Sequence, residues 1–324
     1  MRVLVTGGAG YIGSVIVEEL VKAGHTPVVY DSLVKGRRGA LAPDVPLVEG
    51  DVRETKHVRR VLDEHRIDAV IHMGALIEVG LSVTLPHTFF ENNVGGSLSV
   101  LRAMIDAGVK KYVFSSTAAL YGDPERLPIT EDEPARPTNP YGESKLMVEQ
   151  MLRWDAPAHG ITATSLRYFN AAGATDRNGE MHEPETHLIP LVLASAAASR
   201  PVKIFGTDYP TRDGTPVRDY VHVVDLAQAH LLALHRDEPG LRIYNVGNGN
   251  GYSVREVIAT AREVTGLPLP VEELPRREGD QIATVASSER IRRELGWEPR
   301  HADLHDILGS AWRWRQTHPH GYEE

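Results

Sequence analysis

The sequence predicts an α/β fold: a doubly wound parallel sheet with a smaller α/β lobe attached. Three observations carry that prediction. Short β-branched runs alternate with amphipathic stretches through the first half of the chain, a glycine-rich turn joins the first run to the first amphipathic stretch, and the rhythm breaks after Asn170. Nearly continuous apolar strands interleaved with helices signal a parallel sheet covered on both faces.

Taken in order, RVLVTG reads as a strand and VIVEELVKAG as the helix after the turn. TPVVYD is a second strand, VRRVLDEH a helix, DAVIHMG a strand, LSVLRAMIDAG a helix and KKYVFSS a strand. The stretch AAGATDRNGEMHEPETH has little apolar periodicity and many residues suited to loops, so a lobe boundary is placed there. Later, YVHVVDLAQAHLLALH and RIYNVG again read as helix and strand that return to the first sheet, before the chain leaves through VREVIATAREVTG. The expected division is residues 1–169, with segments near 220–246 returning to them, against a second lobe of residues 170–219 and 247–324. No repeat, low-complexity tract or flexible linker interrupts this plan.

At 324 residues, 41% hydrophobic and 24% charged, the chain has the composition of a globular protein large enough for two lobes. A net charge of -9 offers no basic field to gather a phosphate backbone, which argues against nucleic acid as the main partner. With no cysteine there is no disulfide, thiolate nucleophile or cysteine metal site, and a reducing, cytoplasmic setting is expected. The N-terminus runs straight into a strand, so no signal peptide is expected. No window approaches the roughly 18 to 20 apolar residues of a membrane span.

Gly7, Gly8, Gly10 and Gly13 satisfy GxGxxG directly after a strand and directly before a helix. A bare glycine pattern marks any tight turn. In this context glycine supplies positive φ and leaves the backbone N–H groups open to a pyrophosphate at the helix N-terminus. Asp31 ends the second strand about 20 residues on, where a carboxylate accepts bonds from the adenine ribose hydroxyls. Together they point to a Rossmann-type NAD site. Asp31 repels a 2′-phosphate, and Arg37 and Arg38 read as solvated loop charges. Asp51 in EGDVR either caps its loop or reaches the adenine amine.

NPYGESK places Tyr141 and Lys145 four apart, on one face of a helix. A surface tyrosine and a helical lysine at that spacing arise often by chance. With the cofactor turn upstream, and with Ser115, Ser116 and Thr117 closing a strand at the carboxyl edge of the sheet, a catalytic constellation is the better reading. A phenol of ordinary pKa about 10 must drop roughly three units, about 4 kcal/mol, to act as a base near neutrality. Burial opposes that, so positive charge from Lys145 and an oxidised nicotinamide has to outweigh it. Tyr141 is then the base, Lys145 its electrostatic support and ribose ligand, and Thr117 a hydroxyl that orients substrate and relays the proton.

These segments resemble the extended short-chain dehydrogenase/reductase family and, within it, the UDP-galactose 4-epimerases. The resemblance spans essentially the whole chain, through VTGGAGYIGS, EGDVR, ENNVGGSL, FSSTAALYGD, PYGESKLMVEQ, LRYFNAAGA, FGTDYPTRDGTPVRDYVHV, YNVGNGNGYSV, PRREGD and WRWRQTHPHGY. It implies a cofactor shell of Gly7, Gly10, Tyr11, Ile12, Gly13, Asp31, Asp51, Val52, Met73, Gly74, Ala75, Asn92, Ser115, Tyr141, Lys145 and Phe169. It also implies that the second lobe holds a UDP-sugar through Asn170, His187, Leu188, Phe205, Arg218, Arg277, Asp280 and Thr284, beside Thr117 and Tyr141. The chemistry agrees: arginines suit a diphosphate and an aromatic can lie against uracil.

The implied reaction inverts the sugar 4-hydroxyl by transient oxidation at C4, rotation of the 4-keto sugar and return of hydride to its other face. Ile77 replaces a lysine that some relatives carry near the cofactor, and His187 replaces an asparagine beside the diphosphate. Thr284 sits at a position that sets pocket width, which leaves N-acetylated or acidic UDP-sugars as alternative substrates. A 4,6-dehydratase needs an acid and base pair after the strand hydroxyl, where this chain has Ala118 and Ala119. A catalytically silent NAD sensor conflicts with the intact Thr117, Tyr141 and Lys145 set. A homodimer through the helices around LSVLRAMIDAG and KLMVEQMLRW is expected. No metal site is expected, because the fifteen histidines show no ligand spacing backed by a carboxylate motif.

Overall fold

The computed structural model describes residues 1–277 and 279–322. Seven strands form the main sheet: β1 (Arg2–Thr6), β2 (Thr26–Asp31), β3 (Leu47–Glu49), β4 (Ala69–His72), β5 (Lys111–Thr117), β6 (Thr162–Tyr168) and β7 (Gly240–Val246). Their spatial order is β3-β2-β1-β4-β5-β6-β7, and each neighbouring pair is parallel. The order reverses between β1 and β4. Ligands of open α/β sheets bind at that crevice, outside the carboxyl ends of the strands.

Residue alternation along β1 shows why the sheet is covered on both sides. Val3 and Val5 are fully buried in one core with Val15, Ile16 and Leu20 of helix α1 (Tyr11–Lys22). Leu4 points the other way and packs with Val58, Val61 and Leu62 of α2 (Thr55–Glu64), Val100 and Leu101 of α3 (Gly96–Ala107), and Val148 and Leu152 of α4 (Pro140–His159). Successive side chains of a strand leave opposite faces, so β-branched residues at both parities demand a layer on each side.

A third core belongs to the second lobe. It joins α5 (Leu188–Ala197) through Ile189, Val192 and Leu193, the later helix at Val254–Thr265 through Val257 and Ile258, and the last helix at Leu304–Thr317 through Ile307 and Leu308. Short strands serve this lobe: Val202–Phe205 pairs with Val271–Leu274, and Val217–Arg218 lies between Tyr252–Ser253 and Ala283–Thr284.

Two crossings tie the lobes together. Helix α6 (Val223–Leu234) buries Val223, Leu226 and Leu234 with α1 in the first core, and it feeds β7. Ile291, in the helix Glu289–Leu295, and the fully buried Trp297 also lie in that first core, although the surrounding residues 247–324 were expected in the second lobe. The physical reason is burial of a large indole, whose N–H donates to the Asp225 carbonyl at the start of α6 at 2.8 Å.

Candidate active site

The glycine turn is a cradle made by absence of side chains. Gly7 has φ +67°, and a Cβ on it would lie 2.8–2.9 Å from backbone atoms of Gly74 and Met73 in the loop after β4. A Cβ on Gly13 would lie 2.2 Å from the Gly7 carbonyl. The two loops at the switch point therefore touch backbone to backbone. Thr6 Oγ1 braces them by accepting from the N–H groups of Met73 and Gly74, each at 3.2 Å. Helix α1 begins at Tyr11 with Gly10 as N-cap and no side-chain cap, which leaves the helix N-terminus open to an anion.

Asp31, at the end of β2, is 6% exposed and accepts from Ala9 N and Leu33 N, both at 2.9 Å. Burial raises its carboxyl pKa, and the two backbone bonds work against that rise. Among the described residues no arginine is paired with it; Arg37 and Arg38 pair with Glu183 and Glu49 at 3.6 Å. These residues fit NAD: an open helix N-terminus for pyrophosphate, and a carboxylate with acceptor capacity left for ribose hydroxyls. Asp51 accepts from Arg53 N at 2.9 Å and from the Arg53 guanidinium at 2.5 Å, so it caps its loop, and that pairing lowers its pKa. Val52 is buried against the Gly74 and Gly96 backbones, while Ala75 continues the loop after β4. Asn92 donates to Asn93 Oδ1 at 3.0 Å.

The start of α4 brings together the three residues expected to be catalytic, Thr117, Tyr141 and Lys145. Asn139 caps the helix by accepting from Gly142 N at 2.9 Å, and Pro140 supplies the helical φ of the first position. Gly142 lets this turn press on the turn after Thr117, where a Cβ would lie 2.8 Å from the Ala119 carbonyl. Tyr141 thus faces Thr117, which is itself held at the end of β5 by accepting from Ala119 N at 3.1 Å. Lys145 is 2% exposed and donates to the Ser115 carbonyl at 2.7 Å; its ammonium is 6.0 Å from the centre of the Tyr141 ring.

Electrostatically, neither partner is ready in the protein alone. Burial raises the Tyr141 pKa, with the Thr117 hydroxyl opposing it, and burial lowers the Lys145 pKa to about 7. Each group is pushed towards its neutral form, so proton abstraction needs the ions to support each other or needs further positive charge at the site.

The next turn of α4 holds residues that sequence reading passed over. Glu149 is buried and paired bidentately with Arg167 of β6, at 2.6 and 3.0 Å. It also accepts from Ser116 and Ser165 at 2.7 Å each. Tyr141, Lys145 and Glu149 stand at i, i+4 and i+8, one stripe of the helix, and the last of them fixes the stripe to β5 and β6. The i+8 spacing was visible in PYGESKLMVEQ. Its partner in β6 was not. Asn93 works similarly, bonding both backbone groups of Leu76 and donating to Ser144 of α4 at 3.0 Å.

In the second lobe, Arg218 and Thr284 are register partners on adjacent strands. Arg218 lies 3.6 Å from Asp280, which also pairs with Arg277 at 3.2 Å, and the Arg277 guanidinium stacks over Phe205 at 4.3 Å. Five expected substrate residues thus form one chain of contacts. Asn170 donates twice to the Asp219 carbonyl, at 3.0 and 2.8 Å. Phe169 is buried at the end of β6, its N–H donating to the Val246 carbonyl at 3.1 Å. Asp219, unremarked in the sequence, is buried and accepts from Asn248, Gly249 and Ala286 N–H groups at 2.7–2.9 Å. Burial nevertheless raises its pKa to about 6.

Leu188 begins α5 and packs on the third core. His187, just before it, is held through Nδ1 by Glu180 at 2.9 Å and Glu185 at 2.8 Å. Burial disfavours its charge, but those two carboxylates lift its pKa to about 10. His182 also meets Glu180, at 3.1 Å. The expectation that the histidines are scattered without carboxylate support is therefore corrected: these two, five positions apart in one irregular loop, converge on shared carboxylates.

The NAD dependent epimerase/dehydratase family matches residues 3–247. The UDP-glucose 4-epimerase of Halalkalibacterium halodurans is 50% identical over 99% of this chain and 98% of its own. A crystal structure of a UDP-glucose 4-epimerase superposes with TM-score 0.97 at 44% identity, covering 100% of both chains. The Bifidobacterium longum UDP-glucose 4-epimerase in complex with NAD+ and UDP gives TM-score 0.94 at 39% identity over 99% of this chain and 100% of that one. With the glycine cradle at the switch point and these likenesses over the full length, the chain belongs to the NAD-dependent epimerase/dehydratase family.

Proposed function

We propose that the protein interconverts UDP-glucose and UDP-galactose by reversible oxidation at C4 of the sugar. The observation that carries this reading is the convergence of Thr117, Tyr141 and Lys145 at the carboxyl edge of β5. The full-length likeness to UDP-glucose 4-epimerases supports the choice of sugar.

Bound NAD supplies the acceptor and donor of hydride, so the cycle is redox-neutral. Gly7, Gly10 and the first turn of α1, with Tyr11, Ile12 and Gly13, hold its pyrophosphate, and Asp31 takes the ribose hydroxyls. Val52, Met73, Gly74, Ala75, Asn92, Ser115 and Phe169 line the remainder, and Asp51 holds the loop beside the adenine. Tyr141 removes the 4-hydroxyl proton, Thr117 orients that hydroxyl and relays the proton, and Lys145 supports the phenolate. Arg218 and Arg277 bind the diphosphate and Phe205 lies against the base. Asn170, His187, Leu188, Asp280 and Thr284 complete the pocket. That grip keeps the 4-keto sugar bound while it turns over and presents its other face, with binding energy from UDP spent on retention.

The test is incubation with UDP-galactose and no added redox partner, following UDP-glucose by chromatography, for wild type and Tyr141→Phe. Product from wild type alone supports the reading; no conversion despite bound NAD overturns it.

The protein is also proposed to pair with a second copy through α3 and α4. Leu98, Met147 and Trp154 are 42%, 37% and 78% exposed on those helices, more apolar surface than a solvated face needs. Sedimentation equilibrium is expected to give twice the chain mass, and Trp154→Glu to shift it to the monomer. No helix among the described residues is long and apolar enough to cross a membrane.

A further inference from the structure

We infer that Glu180, His182, Glu185 and His187 form a binding site for one divalent transition-metal ion of the zinc class. All four side chains come from one eight-residue segment, and their donor atoms lie within 4.8 Å of one another. Both imidazoles aim the same nitrogen, Nδ1, at one oxygen: Glu180 Oε1 is 3.1 Å from His182 and 2.9 Å from His187. Glu185 closes the set from the other side, 2.8 Å from His187 Nδ1 and 4.0 Å from His182 Nδ1.

The short His–Glu separations are hydrogen-bonded ion pairs, and an ion would take the place of the protons they share. Four ligands about 2.0–2.1 Å from a tetrahedral ion stand about 3.4 Å apart, and the observed separations of 2.8–4.0 Å bracket that value. Two imidazoles with two carboxylates select zinc, cobalt or nickel over calcium and magnesium, which require an all-oxygen shell. The two carboxylates balance the ion's charge. Glu180 has the access expected of an inner ligand, with its side chain only 8% exposed.

Position gives the ion its use. The segment has no helix or strand between Met181 and His187, yet it bridges the two halves of the molecule. On one side Tyr11 of the cofactor turn meets the His182 ring edge-on, at 6.3 Å between centres. Lys35 donates to the Glu183 carbonyl at 2.9 Å, and Arg37 lies 3.6 Å from the Glu183 carboxylate. On the other side His187 leads directly into α5 of the second lobe. An ion at this point clasps the loop between the cofactor turn and the helix that opens the substrate lobe.

The test uses untagged holoprotein, stripped with a chelator and titrated with Co(II) in the absence of UDP-sugar. Saturation at one equivalent with the intense visible absorption of tetrahedral Co(II), lost on adding one equivalent of Zn(II), is expected. Saturating Zn(II) should raise the melting temperature by roughly 5 °C. His182→Asn and Glu185→Gln should each weaken Co(II) binding by at least about 10-fold. Failure to saturate at one equivalent overturns the inference, as do variants that bind like wild type. Should either variant fail to melt cooperatively, X-ray absorption of the zinc-loaded wild type decides. A shell of two imidazoles and two oxygens supports the site, and any other shell overturns it.

Discussion

At the sheet edge the polar groups are buried and tied to backbone or to fixed partners, whereas in the second lobe they are paired with one another in partial contact with water. Lys145 is 2% exposed and bonded to a carbonyl, and Glu149 and Arg167 have side chains 2% and 6% exposed. The Arg277 side chain is 60% exposed, and its partner Asp280 is shared with Arg218. The difference matches the two tasks proposed for them. Proton transfer requires groups whose distance is set before the substrate arrives, and rigid strands with a helix stripe supply that. Gripping a diphosphate, the role proposed for Arg218 and Arg277, requires cations that can leave one anion for another, and exposed, shared ion pairs do this cheaply.

The largest effect should come from the preformed edge. Tyr141→Phe removes the proposed base while keeping the ring, and turnover is expected to fall by about 10³-fold with UDP affinity unchanged. Single-turnover kinetics alongside calorimetric UDP binding separate the two quantities. A loss of affinity as large as the loss of rate would erase the distinction between the regions.

Next is the buried pair beneath the stripe. Glu149→Gln leaves the Arg167 guanidinium uncompensated, and a stability loss of about 3 kcal/mol is expected from urea unfolding. The contrasting change is Arg255→Ala, which breaks an exposed pair with Glu273 on the second lobe and should cost less than about 1 kcal/mol. Similar losses for both would mean that burial does not separate the two kinds of pair.

The second lobe should respond in affinity. Arg218→Met removes the charge-assisted contact proposed to the diphosphate, and UDP binding should weaken by about 30-fold, or about 2 kcal/mol. The rate at saturating sugar should change much less. A KM that stays constant while kcat falls would place Arg218 with the catalytic groups.

Much of this architecture was legible along the chain, and the unread part has a common cause. The strands β1, β2, β4 and β5 announce themselves by β-branched runs, and the glycine turn and the Tyr141–Lys145 spacing are local patterns that need no tertiary knowledge. Glu149 and Arg167 are 18 positions apart and meet only because β5 and β6 align Ser116 with Arg167 in register. Glu180 and His182 sit in a stretch without periodicity, where sequence offers no face on which to place a side chain. Trp297 is similar: only the path of α6 reveals that this indole belongs to the first core.

The smallest expected effect concerns the charge on Lys145. Its pKa in the folded protein is lowered by burial to about 7, against about 10.4 in the unfolded chain. Below pH 7 both states hold the proton and the burial cost is constant. Above it the unfolded chain binds one proton more than the folded one, so this group's contribution to stability rises with pH until about 10.4. Between pH 7 and 8 the gain should be about 1 kcal/mol, read as the change in the stability difference between wild type and Lys145→Met by urea unfolding of the holoprotein. A difference that stays flat from pH 6 to 9 would show that the ammonium keeps its ordinary affinity for the proton. Lys145 would then support the Tyr141 phenolate unaided. A rising difference means instead that the lysine and tyrosine begin near neutrality together, and that positive charge brought by the ligands completes the base.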